Sequence, residues 1–138
     1  MRNNYRIVIG VIGNDIHVVA NRILARGLRQ VGYEVCNLGV NTPPDDFIAA
    51  AIEHEADCVI VSSLNGEGEG WLKGLRSSFN TVGRKEMLLY VGGNLAVGDR
   101  SQELVELRFR EFGFNRVYHR PSSLDVLLDD LSIDLKYV

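Results

Sequence analysis

The stretch Ile7-Val8-Ile9-Gly10-Val11-Ile12-Gly13-Asn14-Asp15-Ile16-His17 decides the fold of this chain. Its first six residues are apolar and rich in Val and Ile, with no helical spacing, which is the make-up of a strand buried on both faces. The polar break that follows carries an Asp two residues before a His. At a strand exit that pair can place an imidazole on a metal and hold it from behind: neutral imidazole ligates transition metals, and a carboxylate accepting its other N–H fixes the tautomer and raises its basicity. The same spacing also suits a helix N-cap beside an incidental histidine, so the neighbouring segments must discriminate.

Outward from this strand, short apolar runs alternate with longer stretches of helical period. They are Tyr5–Ile12 then Val18–Val31, Glu34–Leu38 then Asp45–Glu55, and Cys58–Val61 then Trp71–Val82. Met87–Val91 then Ser101–Phe112, and Arg116–Tyr118 then Ser123 to Leu135, complete the series. Strands of this kind between amphipathic helices pair in parallel with both sheet faces covered. Five βα units predict a flavodoxin-like (Rossmann-like) α/β three-layer sandwich, a five-stranded parallel sheet with helices on both faces. Gly32 stands as the stop after the first helix, Thr42-Pro43-Pro44-Asp45 as an N-cap with proline in the first turn, and Ser122 or Ser123 as the cap of the last helix. Arg22, Arg26 and Arg29 form a stripe expected to be solvated, opposite an apolar face of Ile23, Leu24, Leu28 and Val31.

At 138 residues and 46% apolar content the chain suits one domain, 1–138, with its own core. The net charge is -3 and the Lys and Arg residues are scattered, so a nucleic-acid footprint is not expected. No run approaches the roughly 20 apolar residues of a membrane helix. The opening Met-Arg-Asn-Asn-Tyr-Arg, with a short apolar run behind it, does not read as a secretory signal, and a cytoplasmic protein is expected. Cys36 and Cys58 lie in expected buried strands, outside any zinc-like spacing, and are expected to be free buried thiols.

In an open parallel sheet, ligands bind beyond the carboxyl ends of the strands near the point where strand order reverses. Three polar segments fall there: Asn14-Asp15-Ile16-His17, Ser62-Ser63-Leu64-Asn65-Gly66, and Gly92-Gly93-Asn94-Leu95-Ala96-Val97-Gly98. The two serines could cap the next helix or hydrogen-bond a ring nitrogen of a ligand. Gly92-Gly93 permits close backbone approach to a ligand or to a neighbouring turn. The glycines of Asn65–Gly70 do not make a phosphate cradle, because two carboxylates sit among them and neither G-x-x-x-x-G-K-[ST] nor G-x-G-x-x-G in its proper place is present. A phospho-receiver site is likewise missing its aspartate pair and its lysine.

Taken together, Asp15-x-His17, Ser62-Ser63-Leu64 and Gly92-Gly93-Asn94 resemble the cobalamin-binding domain of base-off/His-on type. The likeness extends through Val11-Ile12-Gly13, Asp46-Phe47-Ile48, Ala50-Ala51-Ile52, Lys73-Gly74-Leu75-Arg76 and Phe114-Asn115-Arg116-Val117-Tyr118, and so resembles the small sigma-type subunits of glutamate mutase (methylaspartate mutase) nearly end to end. The resemblance implies adenosylcobalamin as cofactor, with His17 as lower cobalt ligand, Asp15 orienting it, and Asn14, Ile16 and Val18 beside them on the corrin's lower face. It implies that the displaced nucleotide tail enters a slot between the first helix and the sheet, touched by Ser62, Ser63 and Leu64 and flanked by Gly92 and Gly93. Asn94, Leu95, Ala96, Val97 and Gly98 would close around the tail, and Tyr118 would lie near the mouth.

It further implies radical interconversion of L-glutamate and L-threo-3-methylaspartate, with the substrate held by a larger barrel-type (epsilon-type) subunit in a heterotetramer of two small and two large chains. The small chain alone is then inactive. A departure stands at Ala20, where the wider motif Asp-x-His-x-x-Gly has glycine. A cobalamin carrier or sensor module controlling a protein partner is the alternative. The match at surface positions such as Lys73–Arg76 favours the mutase subunit.

Overall fold

The run Ile7–Ile12 becomes the second strand of a five-stranded sheet in the computed structural model, which describes residues 5–12, 19–63, 70, 72–93, 102–119 and 124–137. The strands are β1 (Arg6–Val11), β2 (Glu34–Asn37), β3 (Cys58–Ser63), β4 (Leu88–Gly93) and β5 (Arg116–His119). Between and after them run α1 (Val19–Gln30), α2 (Pro44–Glu53), α3 (Leu75–Thr81), α4 (Gln102–Glu111) and α5 (Leu124–Asp134), the last continued by a 3-10 turn, Leu135–Tyr137. The order is β2-β1-β3-β4-β5 and every pairing is parallel, the flavodoxin-like arrangement expected.

Alternation along the strands divides the core in two. Val8, Val59, Val61, Leu89 and Val91 face α2, α3 and α4, where Phe47, Leu75, Phe79 and Phe109 bury against them. Ile7, Ile9, Cys58, Ile60 and Tyr90 face α1 and α5, meeting Ala25, Leu28, Leu127 and Leu131. Each fully buried Leu, Ile or Phe contributes about 1.5–3 kcal/mol of transfer free energy, so these two layers hold the sheet edge in place.

Local chemistry sets the ends of the elements. Gly32, at φ +100°, reverses the chain after α1 and donates its N–H to the Arg29 carbonyl at 3.0 Å. Pro44 opens α2, and Asp45 and Asp46 lie in its first turn, where carboxylates suit the helix dipole. Thr42 is not the cap that was expected. Its hydroxyl donates to the Gly39 carbonyl at 3.3 Å, and the flanking Pro43 makes no side-chain cap bond.

Other expectations are corrected too. The helix expected over Trp71–Val82 is interrupted: Leu72 is helical, Lys73-Gly74 forms a turn, and the regular helix runs over Leu75–Thr81. On α1 the buried face is Asn21, Ala25 and Leu28, whereas Ile23 and Val31 are more than half exposed. Arg22, Arg26 and Arg29 are exposed as expected. Cys58 is buried, but Cys36 is only half-buried because β2 is an edge strand; both thiols are free, and burial pushes both above their usual pKa. Ser122 and Ser123 lie outside the described residues.

β3 and β4 each run two residues beyond their apolar cores, to Ser63 and Gly93. The cause is continued pairing: Ser62 is in register with Val11 on one side and Gly92 on the other.

Candidate functional site

The carboxyl ends of β1 and β3 are the switch point, since β1 leads outward to β2 and the chain then returns to the other side of β1. Across this edge runs one row of residues, Val11, Ser62, Gly92 and Tyr118, each in register with the next. Because strand residues alternate faces, the row shares the face of Ile60 and Tyr90, the one covered by α1 and α5.

Gly92 leaves the row without a side chain at its third position. A Cβ built there would stand 3.5 Å from Tyr118 Cβ and 3.7 Å from the Tyr118 carbonyl, with no other atom of the described residues within 4 Å. Beside it, Ser62 is half-buried. Ser63 belongs to the opposite face; it is 1% exposed, and its Oγ has no hydrogen-bond partner among the described residues. Adjacent strand residues cannot aim their side chains into the same slot, so Ser62 and Ser63 must act differently.

Tyr118 walls one side of the row and is held from behind. Its hydroxyl donates to Asp130 Oδ2 on α5, and its ring lies 6.0 Å from that of Tyr90. Tyr90 donates to Asp134, whose carboxylate is gripped by Arg116 through Nε at 3.0 Å and Nη2 at 2.9 Å. Burial, reinforced by these carboxylate bonds, raises both tyrosine pKa values, while the Arg116 bonds hold the Asp134 carboxyl below its usual value. The result is a fixed, protonated phenol at the edge of the row.

On the α1 side stands Asn21, 3% exposed. Its Oδ1 accepts from Asn37 Nδ2 at 2.7 Å, and Asn37 Oδ1 accepts the Gly39 N–H at 2.9 Å. Gly39 in turn receives the Val11 N–H on its carbonyl, tying the start of α1 to the end of β1. Asn21 Nδ2 has no partner among the described residues. Sequence reading passed over Asn21, although a polar residue four and seven positions before Ala25 and Leu28 on the buried helix face was a signal. Lower down, α1 and α5 meet where a Cβ on Gly27 would fall 2.2 Å from Leu124 Cδ2.

Of the expected site residues, Ser62, Ser63, Gly92, Gly93 and Tyr118 are therefore brought to one edge. Asn14, Asp15, Ile16, His17, Val18, Leu64, Asn94, Leu95, Ala96, Val97 and Gly98 lie outside the described residues. Ala20 falls in the first turn of α1, so its backbone is helical and position 20 has no need of positive φ. Arg76, expected at the surface, is part-buried and spends its guanidinium on the carbonyls of Lys85, Met87 and Gly113. Among the described residues no cluster of three His, Cys, Asp or Glu could hold a metal ion, and no helix is long and apolar enough to cross a membrane. This edge therefore brings together a half-buried hydroxyl at Ser62, bare backbone at Gly92 and a buried amide at Asn21.

Comparison with known proteins identifies the family. The family model described as B12 binding domain matches residues 5–111. The glutamate mutase sigma subunit of Clostridium tetani is 47% identical over 94% of both chains. That of Treponema denticola is 43% identical over 97% of this chain and 96% of its own. Among solved structures, a cobalamin-binding protein from Desulfitobacterium hafniense superimposes with a TM-score of 0.73 at 17% identity, covering 97% of this chain and 59% of that one. The receiver domain of RcsB from Salmonella enterica reaches 0.67 at 15% identity, over 97% of this chain and 90% of that one. These distant structures share the fold alone; full-length identity is what separates the possibilities, and by it the chain belongs to the B12-binding domain family and, within that, to the glutamate mutase sigma subunits.

Proposed function

We propose that this chain is the cobalamin-binding small subunit of a glutamate mutase, an isomerase interconverting L-glutamate and L-threo-3-methylaspartate, active only with a larger subunit. The observation that carries this reading is identity of 47% spread over 94% of both chains, far beyond the cofactor loops. Two features of the carboxyl edge support the cofactor reading: Gly92 brings bare backbone to the row beside Tyr118, and Ser62 presents a half-buried hydroxyl on the same face. Bound adenosylcobalamin supplies the radical chemistry of the rearrangement, and the protein supplies position and electronics.

In this reading His17 would hold the cobalt of the cofactor and Asp15 would accept its other ring N–H, fixing the tautomer. Asn14, Ile16 and Val18 would contact the corrin beside them. The Ser62 hydroxyl would meet the nucleotide tail, Gly92 and Gly93 would let it approach the backbone, and Leu64 with Asn94, Leu95, Ala96, Val97 and Gly98 would hold it. Ser63, facing the other core, contributes through its backbone, and Tyr118 stands at the mouth. The partner is a barrel-type, epsilon-type subunit that binds the substrate, two of each chain forming a heterotetramer.

Titration of the purified chain with hydroxocobalamin tests the cofactor reading. A base-off/His-on visible spectrum is expected for the wild type and is absent from His17→Ala; its persistence in the variant overturns the assignment of His17. Activity on L-glutamate, reconstituted with a glutamate mutase large subunit and adenosylcobalamin, tests the rest. A chain that binds cobalamin yet gives no activity with any such subunit overturns the mutase assignment.

A further inference from the structure

Asn21 is a polar side chain sunk into the contact between the start of α1 and the sheet, with half of its amide unpartnered among the described residues. The orientation of that amide is fixed by its neighbour. Asn37 commits its Oδ1 to the Gly39 N–H, which leaves only Nδ2 to face Asn21, so Asn21 must present Oδ1 to Asn37 and turn Nδ2 away. A buried donor with no acceptor is costly, and an aliphatic residue would fill the place without that cost. A ligand that supplied an acceptor at this point would remove that cost.

The position says which ligand that is. Asn21 lies in the first turn of α1, four residues after His17 in sequence, and is linked through Asn37 and Gly39 to Val11, the residue in register with Ser62. It thus borders the face on which Ser62 and Gly92 open.

We infer that Asn21 Nδ2 donates a hydrogen bond to an acceptor on the nucleotide tail of the bound cobalamin, making Asn21 a tail-recognition residue. This rests on the cofactor reading above, in which the tail lies between α1 and the sheet. Bond and burial then work together: the ligand that fills the slot also satisfies the buried donor.

The test compares hydroxocobalamin with aquacobinamide, which has the same corrin and no nucleotide tail, by spectral titration of wild type, Asn21→Leu and Asn21→Asp. Asn21→Leu removes the unpaired donor, while the exposed Asn37 can turn to water, so the ligand-free thermal midpoint should hold or rise. Its affinity for hydroxocobalamin should fall by about tenfold or more, and its affinity for aquacobinamide should stay level. Asn21→Asp keeps the acceptor for Asn37 and replaces the donor with an oxygen, so it should lose tail affinity at least as much. Unchanged hydroxocobalamin affinity in either folded variant, or an equal loss for both ligands, overturns the inference. Failure of the wild type itself to bind hydroxocobalamin would instead overturn the cofactor reading.

Discussion

Gly113 and Arg76 fit together so closely that a Cβ on the glycine would stand 2.6 Å from the arginine's Cγ, while the Gly113 carbonyl accepts from Arg76 Nε at 3.0 Å and Nη2 at 2.7 Å. The same guanidinium donates through Nη1 to the Met87 carbonyl at 2.6 Å and through Nη2 to Asn115 Oδ1 at 3.0 Å. One side chain from α3 therefore fastens the turns that feed β4 and β5, the two strands carrying Gly92 and Tyr118.

Arg76→Ala should lower folding free energy by about 2 kcal/mol, since it strands several carbonyls at once. Gly113→Ala should cost about 1–3 kcal/mol, because φ is +100° and the new methyl has nowhere to go. Urea unfolding measures both. The cobalamin affinity of whatever remains folded should be unchanged, and a selective loss of affinity would assign Arg76 to the site instead.

Gly92→Leu should separate binding from folding. A Cβ at Gly92 makes only ordinary contacts with Tyr118 among the described residues, so the thermal midpoint should move little. Hydroxocobalamin affinity should drop by about tenfold or more, with Gly92→Ala in between, because a filled slot excludes the ligand.

The acid limb of stability should involve Asp134. Its carboxyl is held below its ordinary value of 3.8 by Arg116, so the pair's contribution is complete above that value and is lost as pH falls through the depressed folded one. Asp134→Asn should be less stable than wild type by about 1–2 kcal/mol at neutral pH. The gap should narrow below about pH 4, as wild type sheds the same interaction. Thermal midpoints from pH 7 downward check it; parallel curves for the two proteins would refute the assignment.

Ala20→Gly restores the motif glycine and should destabilise the ligand-free protein by about 1 kcal/mol, because position 20 is helical. Circular dichroism should be unchanged while the cobalamin affinity shifts. Equal stability would mean that the first turn of α1 is not held as described.

The order of strands and helices was legible because Val- and Ile-rich runs such as Ile7–Ile12 and Cys58–Val61 announce themselves by composition. Strand ends were not, since Ser62, Ser63, Gly92 and Gly93 stay in the sheet through backbone pairing, to which side-chain polarity is blind. The buried face of α1 was misjudged for a related reason: apolarity put Ile23 and Val31 inward, but the sheet takes the 21, 25, 28 face and accepts Asn21 there. Arg76 looked like surface because its partners are nine to thirty-nine positions away, beyond any local pattern. Of the site, the three loops could be recognised as motifs, whereas the supports of Tyr118 required knowing that Asp130 and Asp134 on α5 come back to lie over β5.

The two-residue period of β3 gives the pair Ser62-Ser63 a consequence for how the chain can change. Deleting or inserting a single residue within Cys58–Val61 would either swap the two hydroxyls between faces or, if they held their places, turn the apolar residues before the change from one core to the other. Substitutions at either serine can be sampled one at a time, but the spacing between the strand's start and its serines cannot drift at all. Length in this segment should therefore be constant among functional relatives, even where its residues are not.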